Sequence, residues 1–111
     1  MPALPALEEA PGAAEGEGVI VGVITWELHL EACHSLKEKR HIVKSLKDRL
    51  HQRFNVSAAE TDHHDLWQRA ELTAAVVSTE RQHAEQVLRE ADRLVEGASG
   101  ARIVDTSTSY L

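Results

Sequence analysis

VIVGVITWELHL, residues 19–30, opens as a continuous apolar run and alternates from Ile24 onward. Successive side chains of a strand point to opposite faces, so Ile24, Trp26, Leu28 and Leu30 share one side and Thr25, Glu27 and His29 the other. The apolar side needs a cover and the polar side does not. The stretch therefore predicts a central strand of a sheet packed on one face only.

Working outward, Ser35 and Glu38 give the S-x-x-E pattern of a capping box, which starts a helix at Leu36 and carries it to about Arg53. Its apolar stripe is Leu36, Ile42 or Val43, Leu46 and Leu50. FNVSAAE (54–60) reads as a short strand, TDHHDL (61–66) as a loop and WQRAELTAAVV (67–77) as a second strong strand, the two strands forming a hairpin. Thr79 with Gln82 makes another capping box, and the helix behind it buries Ala84, Val87, Leu88, Ala91, Leu94 and Val95 before Gly97 ends it. Residues 101–106 supply a last strand. The order βαββαβ is the split βαβ plan of an α+β, ferredoxin-like sandwich, a four-stranded antiparallel sheet with two helices on one face. On the open face, Trp67, Arg69, Glu71 and Thr73 should lie beside Thr25, Glu27 and His29.

The 111 residues, 42% of them apolar, suit one domain over 19–111. Residues 1–18 hold all three prolines and four glutamates with apolar content that is mostly Ala, which predicts a disordered acidic extension. No run of about 18 apolar residues could span a bilayer, and the N-terminus lacks the pattern of a secretory signal, so the expected address is cytoplasmic, with no membrane partner. Cys33 is the single cysteine, which excludes an internal disulfide and a cysteine-rich zinc site and fits a reducing compartment.

Charge is segregated along the chain. The net value is -6, yet residues 37–53 carry +5, while 1–18 carry -4, 19–36 carry -2 and 54–111 carry -5. On the first helix, Lys37, Arg40, Lys44, Lys47 and His51 recur at steps of three or four and form one stripe. An ordinary solvated helix face would look similar. Against that, Lys37, Lys39 and Arg40 sit near the helix N-terminus, where the macrodipole disfavours each cation by about 0.3 to 1 kcal/mol. A polyanionic partner such as RNA phosphate accounts for the placement, with Lys37, Lys39, Arg40, Lys44 and Lys47 as the contacts. Base stacking on the sheet, as in RNA-recognition motifs, is not expected, because Trp67 is its lone candidate aromatic and Glu27 and Glu71 share the face.

Signals for chemistry are weak. Asp62, His63, His64 and Asp65, with His29, Cys33 or His34 at a distance, match no metal-ligand spacing, so no metal site is expected. Cys33 and His34 lack an orienting third group, and a site around His29, His63 and His64 is the weakest alternative. The acylphosphatases share the fold, but their phosphate cradle needs an Arg in the first strand-to-helix turn, which here reads LEACHS, and a water-orienting Asn, whereas the single Asn is Asn55. No Gly-rich phosphate loop follows a strand. No catalytic residue, cofactor or small-molecule substrate is expected.

The pieces GVITWELHL, C-x-SLKEKR-x-x-VKSLKDRL, RFNVSAAE and HHDLWQRAEL closely resemble the small bacterial YlxP-like family, over about residues 19–107. The resemblance implies a cytoplasmic ferredoxin-like domain encoded near a transcription elongation factor, translation initiation factor 2 and ribosome-binding factor A, and thereby a role in ribosome assembly or translation. The chain departs from the pattern at Glu31-Ala32, where Pro-Gly is expected, and at Thr73, where Gly is common. The leading expectation is a non-enzymatic accessory protein docking on ribosomal RNA or a ribosomal particle through the basic helix. The competing one is a homodimer paired through the open sheet face at Glu27, His29, Trp67, Arg69 and Glu71, with no nucleic-acid role.

Overall fold

A computed structural model describes residues 18–111, so the expected disordered extension lies outside the described residues apart from Gly18. Strand β1 (Ile20–His29) leads to helix α1 (Leu36–Arg53), the hairpin of β2 (Ser57–Asp62) and β3 (Arg69–Ser78), helix α2 (Arg81–Glu96) and strand β4 (Arg102–Tyr110). The strands form one antiparallel sheet in the order β2-β3-β1-β4, with both helices on one face, the α+β ferredoxin-like arrangement. Among the described residues no helix is long and apolar enough to cross a membrane.

The even-numbered residues of β1 and β3 build the core. Ile24, Trp26, Leu28 and Leu30 meet Ala70, Leu72, Ala74 and Val76 from the same side, and Val43, Leu46 and Leu50 of α1 with Ala84, Leu88, Ala91 and Val95 of α2 close over them. Trp26 is fully buried, and its indole N–H donates to Asp92 Oδ1 at 2.8 Å, which gives a polar group inside the core its partner. Gly22 lets α2 and β4 come close to β1, since a Cβ there would stand 3.0 Å from Leu88 Cδ1 and 3.1 Å from Tyr110 Cε1.

Helix α1 begins where the capping box puts it. Ser35 Oγ accepts the Glu38 N–H at 3.1 Å, while the Glu38 carboxylate reaches back to the His34 N–H at 2.6 Å, one residue before the cap. Helix α2 differs from expectation. Thr79 makes no cap; Glu80 stands at the N-cap without a side-chain bond, and Ser78 Oγ accepts the Glu80 N–H instead. The strands also shift, β2 starting later and ending at Asp62, and β4 running on to Tyr110 because TSTSY pairs with β1 along its length.

Lys39 is the largest correction. Expected on the outer face of α1, it is 1% exposed and lies on the same side as Val43, Leu46 and Leu50. Its Nζ stands 2.8 Å from Glu60 Oε2 and donates to the His63 carbonyl, which also accepts the Leu66 N–H at 3.1 Å. The contact with Glu60 is an ion pair rather than a well-aligned hydrogen bond, and that carboxylate oxygen is buried with no other partner. His63 turns the chain with φ of 65°, so its carbonyl can serve both donors. One buried ammonium thus joins α1 to β2 and to the hairpin loop. Lys39→Ala leaves Glu60 buried without its cation and should cost about 3 kcal/mol in urea unfolding at neutral pH. Lys39→Met combined with Glu60→Leu leaves no buried charge and should recover most of that loss; equal losses in both variants would show that the charge pairing is irrelevant.

Candidate functional site

With Lys39 turned inward, Lys37, Arg40, Lys44 and Lys47 remain along the outward flank of α1, Lys47 half-buried and the others exposed. Lys44 pairs with Asp48 at 2.8 Å, and that hydrogen bond holds the Asp48 carboxyl below the usual range. Among the described residues Lys37, Arg40 and Lys47 have no carboxylate within 4.0 Å, so three of the four charges face solvent uncompensated. His51 closes the stripe by accepting the Ala58 N–H at 3.2 Å, which occupies a backbone donor of the edge strand β2. The stripe therefore runs along the β2 side of the molecule, with its cations held on a rigid helix.

The open sheet face has the opposite character, and its order comes from strand register. Asp62 of β2, Glu71 of β3, Glu27 of β1 and Asp105 of β4 are successive cross-strand partners, a row of four carboxylates spanning the sheet. Two irregularities create it. A register shift between Glu60 and Asp62 brings Asp62 to the face away from Glu60, and another between Glu27 and Leu28 skips Val104 to set Asp105 opposite Glu27. Carboxylates directly opposite one another repel, so the row needs cations beside it. Arg69 supplies one at 2.9 Å from Glu27 Oε1, and His63 Nε2 lies 3.1 Å from both Glu27 oxygens. A carboxylate only accepts, so that imidazole nitrogen carries the proton. Arg102 holds Glu31 at 2.9 Å and reaches His29 Nδ1 at 3.1 Å.

At the other end of this face, Val19, Val77 and Leu111 are 69, 69 and 79% exposed, and Val21 joins them by pairing with Val77 and with the Leu111 backbone. Of the sheet-face residues expected from sequence, Glu27, His29, Arg69 and Glu71 do gather on the open face, while Trp67 precedes β3 and projects from the loop, 47% exposed beside Leu66.

The residues with chemical potential do not converge. His63 turns to Glu27, whereas His64 Nε2 turns to the Glu60 carbonyl at 3.2 Å, and among the described residues no three His, Cys, Asp or Glu side chains are placed to hold one metal ion. Cys33 is buried; burial pushes its thiol up, with Glu38 adding to the shift, which opposes formation of a thiolate nucleophile. Glu27 is shifted the other way. Partial burial works against its ionisation, yet the hydrogen bonds from Arg69 and His63 outweigh it and hold the carboxyl below the usual range. A depressed carboxyl contributes stability that is present above the unfolded-state value and lost as pH falls through the folded one. Glu27→Gln should therefore destabilise the protein by about 1 kcal/mol at neutral pH, and the difference from wild type should shrink as pH falls below the ordinary glutamate range and through the depressed folded-state value. Unfolding curves across that range provide the check, and a pH-independent difference would remove the ionic contribution.

Comparison with known proteins agrees with this fold. The chain is 36% identical over 70 residues to the uncharacterized protein YlxP of Bacillus subtilis (strain 168), covering 63% of this chain and 76% of that protein. Among solved structures, the de novo designed protein Foldit4 superposes with a TM-score of 0.53 at 10% identity, over 85% of this chain and 97% of the design. A C-terminal segment of the aIF2 alpha subunit from Pyrococcus abyssi gives a TM-score of 0.45 at 15% identity, over 97% of this chain and 58% of that one. The family model described as a protein of unknown function, DUF503, matches residues 21–108, and the chain belongs to that family.

Proposed function

We propose that this protein is a non-enzymatic accessory factor that docks on the phosphate backbone of RNA, in a ribosomal or translation complex, through Lys37, Arg40, Lys44 and Lys47 of α1. The observation that carries this is the separation of charge between two surfaces: on one helix Lys44 and three cations uncompensated among the described residues, and on the open sheet a row of four carboxylates. A phosphate chain is attracted to the first and repelled by the second. The resemblance to a family encoded beside translation factors supports the choice of RNA. Lys39 is not among the contacts, because its ammonium is buried and occupied.

Binding to single-stranded RNA should weaken with salt with a log-log slope near about -3, the value for about four phosphates. Lys37→Glu, Arg40→Glu, Lys44→Glu and Lys47→Glu together should abolish binding while the far-UV spectrum and unfolding midpoint stay near those of wild type, and the compensated variant Lys39→Met with Glu60→Leu should leave the slope unchanged. A slope near zero, or binding that survives the four reversals, would contradict the proposal.

The exposed Val19, Val77 and Leu111 favour a second reading, contact with another copy of the chain through the apolar end of the sheet. Sedimentation of the free protein separates the two. A concentration-dependent dimer that Val77→Lys dissociates, with no RNA binding at low salt, would replace the first reading.

A further inference from the structure

Trp67 and Leu66 are large apolar side chains left 47 and 45% exposed on a loop that the proposed phosphate contacts do not use. That loop is fastened to the start of α1. Lys39 Nζ holds the His63 carbonyl, Gln68 Nε2 donates to the carbonyls of Glu31 and Cys33 at 3.3 Å each, and the Leu30 N–H donates to the Gln68 carbonyl at 2.9 Å. Trp67 therefore stands between two anchored residues, on a loop tied to the segment that leads into α1. Little conformational freedom remains to be lost when it engages a partner.

From this placement we infer that Trp67 is a base-stacking platform for single-stranded RNA whose backbone lies on α1, an assignment that rests on the function proposed above. The chemistry of the loop selects a base rather than a phosphate. Asp62 and Asp65 precede the indole in sequence and disfavour a phosphate, Arg69 two residues after it is already paired with Glu27, and a nucleobase is uncharged and presents a flat π-face to stack. The division also gives the RNA a polarity across the surface, with sugar and phosphate toward Lys37 and Arg40 and bases toward the loop. Duplex RNA keeps its bases stacked inside and has none to offer, so the inferred ligand is single-stranded.

The protein carries its own reporter. Trp26 is fully buried with its indole N–H bonded to Asp92, so a ligand that touches the surface alters Trp67 emission and leaves Trp26 undisturbed. The test titrates the full chain with a short oligouridylate and with an abasic ribose-phosphate oligomer of the same length. Oligouridylate should quench Trp67 and bind about 10-fold more tightly than the abasic oligomer, which should bind without quenching. Trp67→Ala should bring oligouridylate to the abasic affinity with the salt slope unchanged, while Trp67→Phe, which keeps a ring, should hold most of the affinity. Oligouridylate binding with the expected salt slope, but with no quenching and no effect of Trp67→Ala, would overturn the stacking role and leave phosphate docking intact. Failure of both oligomers to bind at low salt would overturn the two together.

Discussion

A single buried ammonium organises this molecule. Lys39 lies in the apolar seam of α1, where burial of a cation is tolerable only because Glu60 and the His63 carbonyl meet it. Three constraints follow from that one side chain. The rotation of α1 about its axis is set, the β2 strand is held beneath the helix, and the hairpin loop is drawn against the helix start. An apolar residue at position 39 would give comparable burial but would tolerate sliding of the helix, whereas an ion pair is satisfied in one register only. Because α1 is locked in rotation, Lys37, Arg40, Lys44 and Lys47 are presented outward together, and because the loop is tied to the segment before α1, Trp67 is held at the end of the molecule where that helix begins.

The same economy of position explains the second surface. The sheet separates an apolar end at Val21, Val77 and Leu111 from a charged end at Glu27, Glu71 and Asp105, with Thr25, Thr73 and Ser107 between them. Thr25, Thr73, Thr61 and Glu71 are joined by side-chain hydrogen bonds of 2.6 to 3.0 Å, so the middle of the face is satisfied without help from a ligand. Four carboxylates in one row cost repulsion that Arg69 offsets at Glu27, with His63 lying between Glu27 and Asp62. A surface built this way repels a polyanion. RNA bound to this protein would thus lie along the helix side, which is the reverse of the RNA-recognition-motif arrangement on the same type of sheet.

Much of the architecture can be read from local pattern. The alternation at Ile24–Leu30 identifies the central strand, and Ser35 with Glu38 places the first residue of α1 because the cap is a short-range hydrogen-bonding device. Signals of that range fail where partners are distant. Thr79 with Gln82 has the right spacing for a cap, but Ser78 wins the hydrogen bond, so α2 starts at Arg81. Residues 107–110 are too polar to look like a strand until β1 supplies the pairing. Lys39 was detectable in principle, since 39, 43, 46 and 50 recur at helical spacing and the last three are apolar. Its charge argues against that placement unless Glu60, 21 positions onward, is known to face it. The carboxylate row was beyond reach, because two register irregularities decide which residues join it and neither leaves a mark in composition or periodicity.

The central claim is that one helix face attracts phosphate and the open sheet does not. Backbone amide shifts followed by NMR during titration with single-stranded RNA at low salt test it most directly, since both surfaces report in the same sample. The account predicts shifts concentrated at Lys37, Arg40, Lys44 and Lys47 and at the adjoining loop, with Thr25, Glu27, Glu71 and Ser107 unmoved. Shifts centred on the sheet residues, with α1 silent, would contradict it.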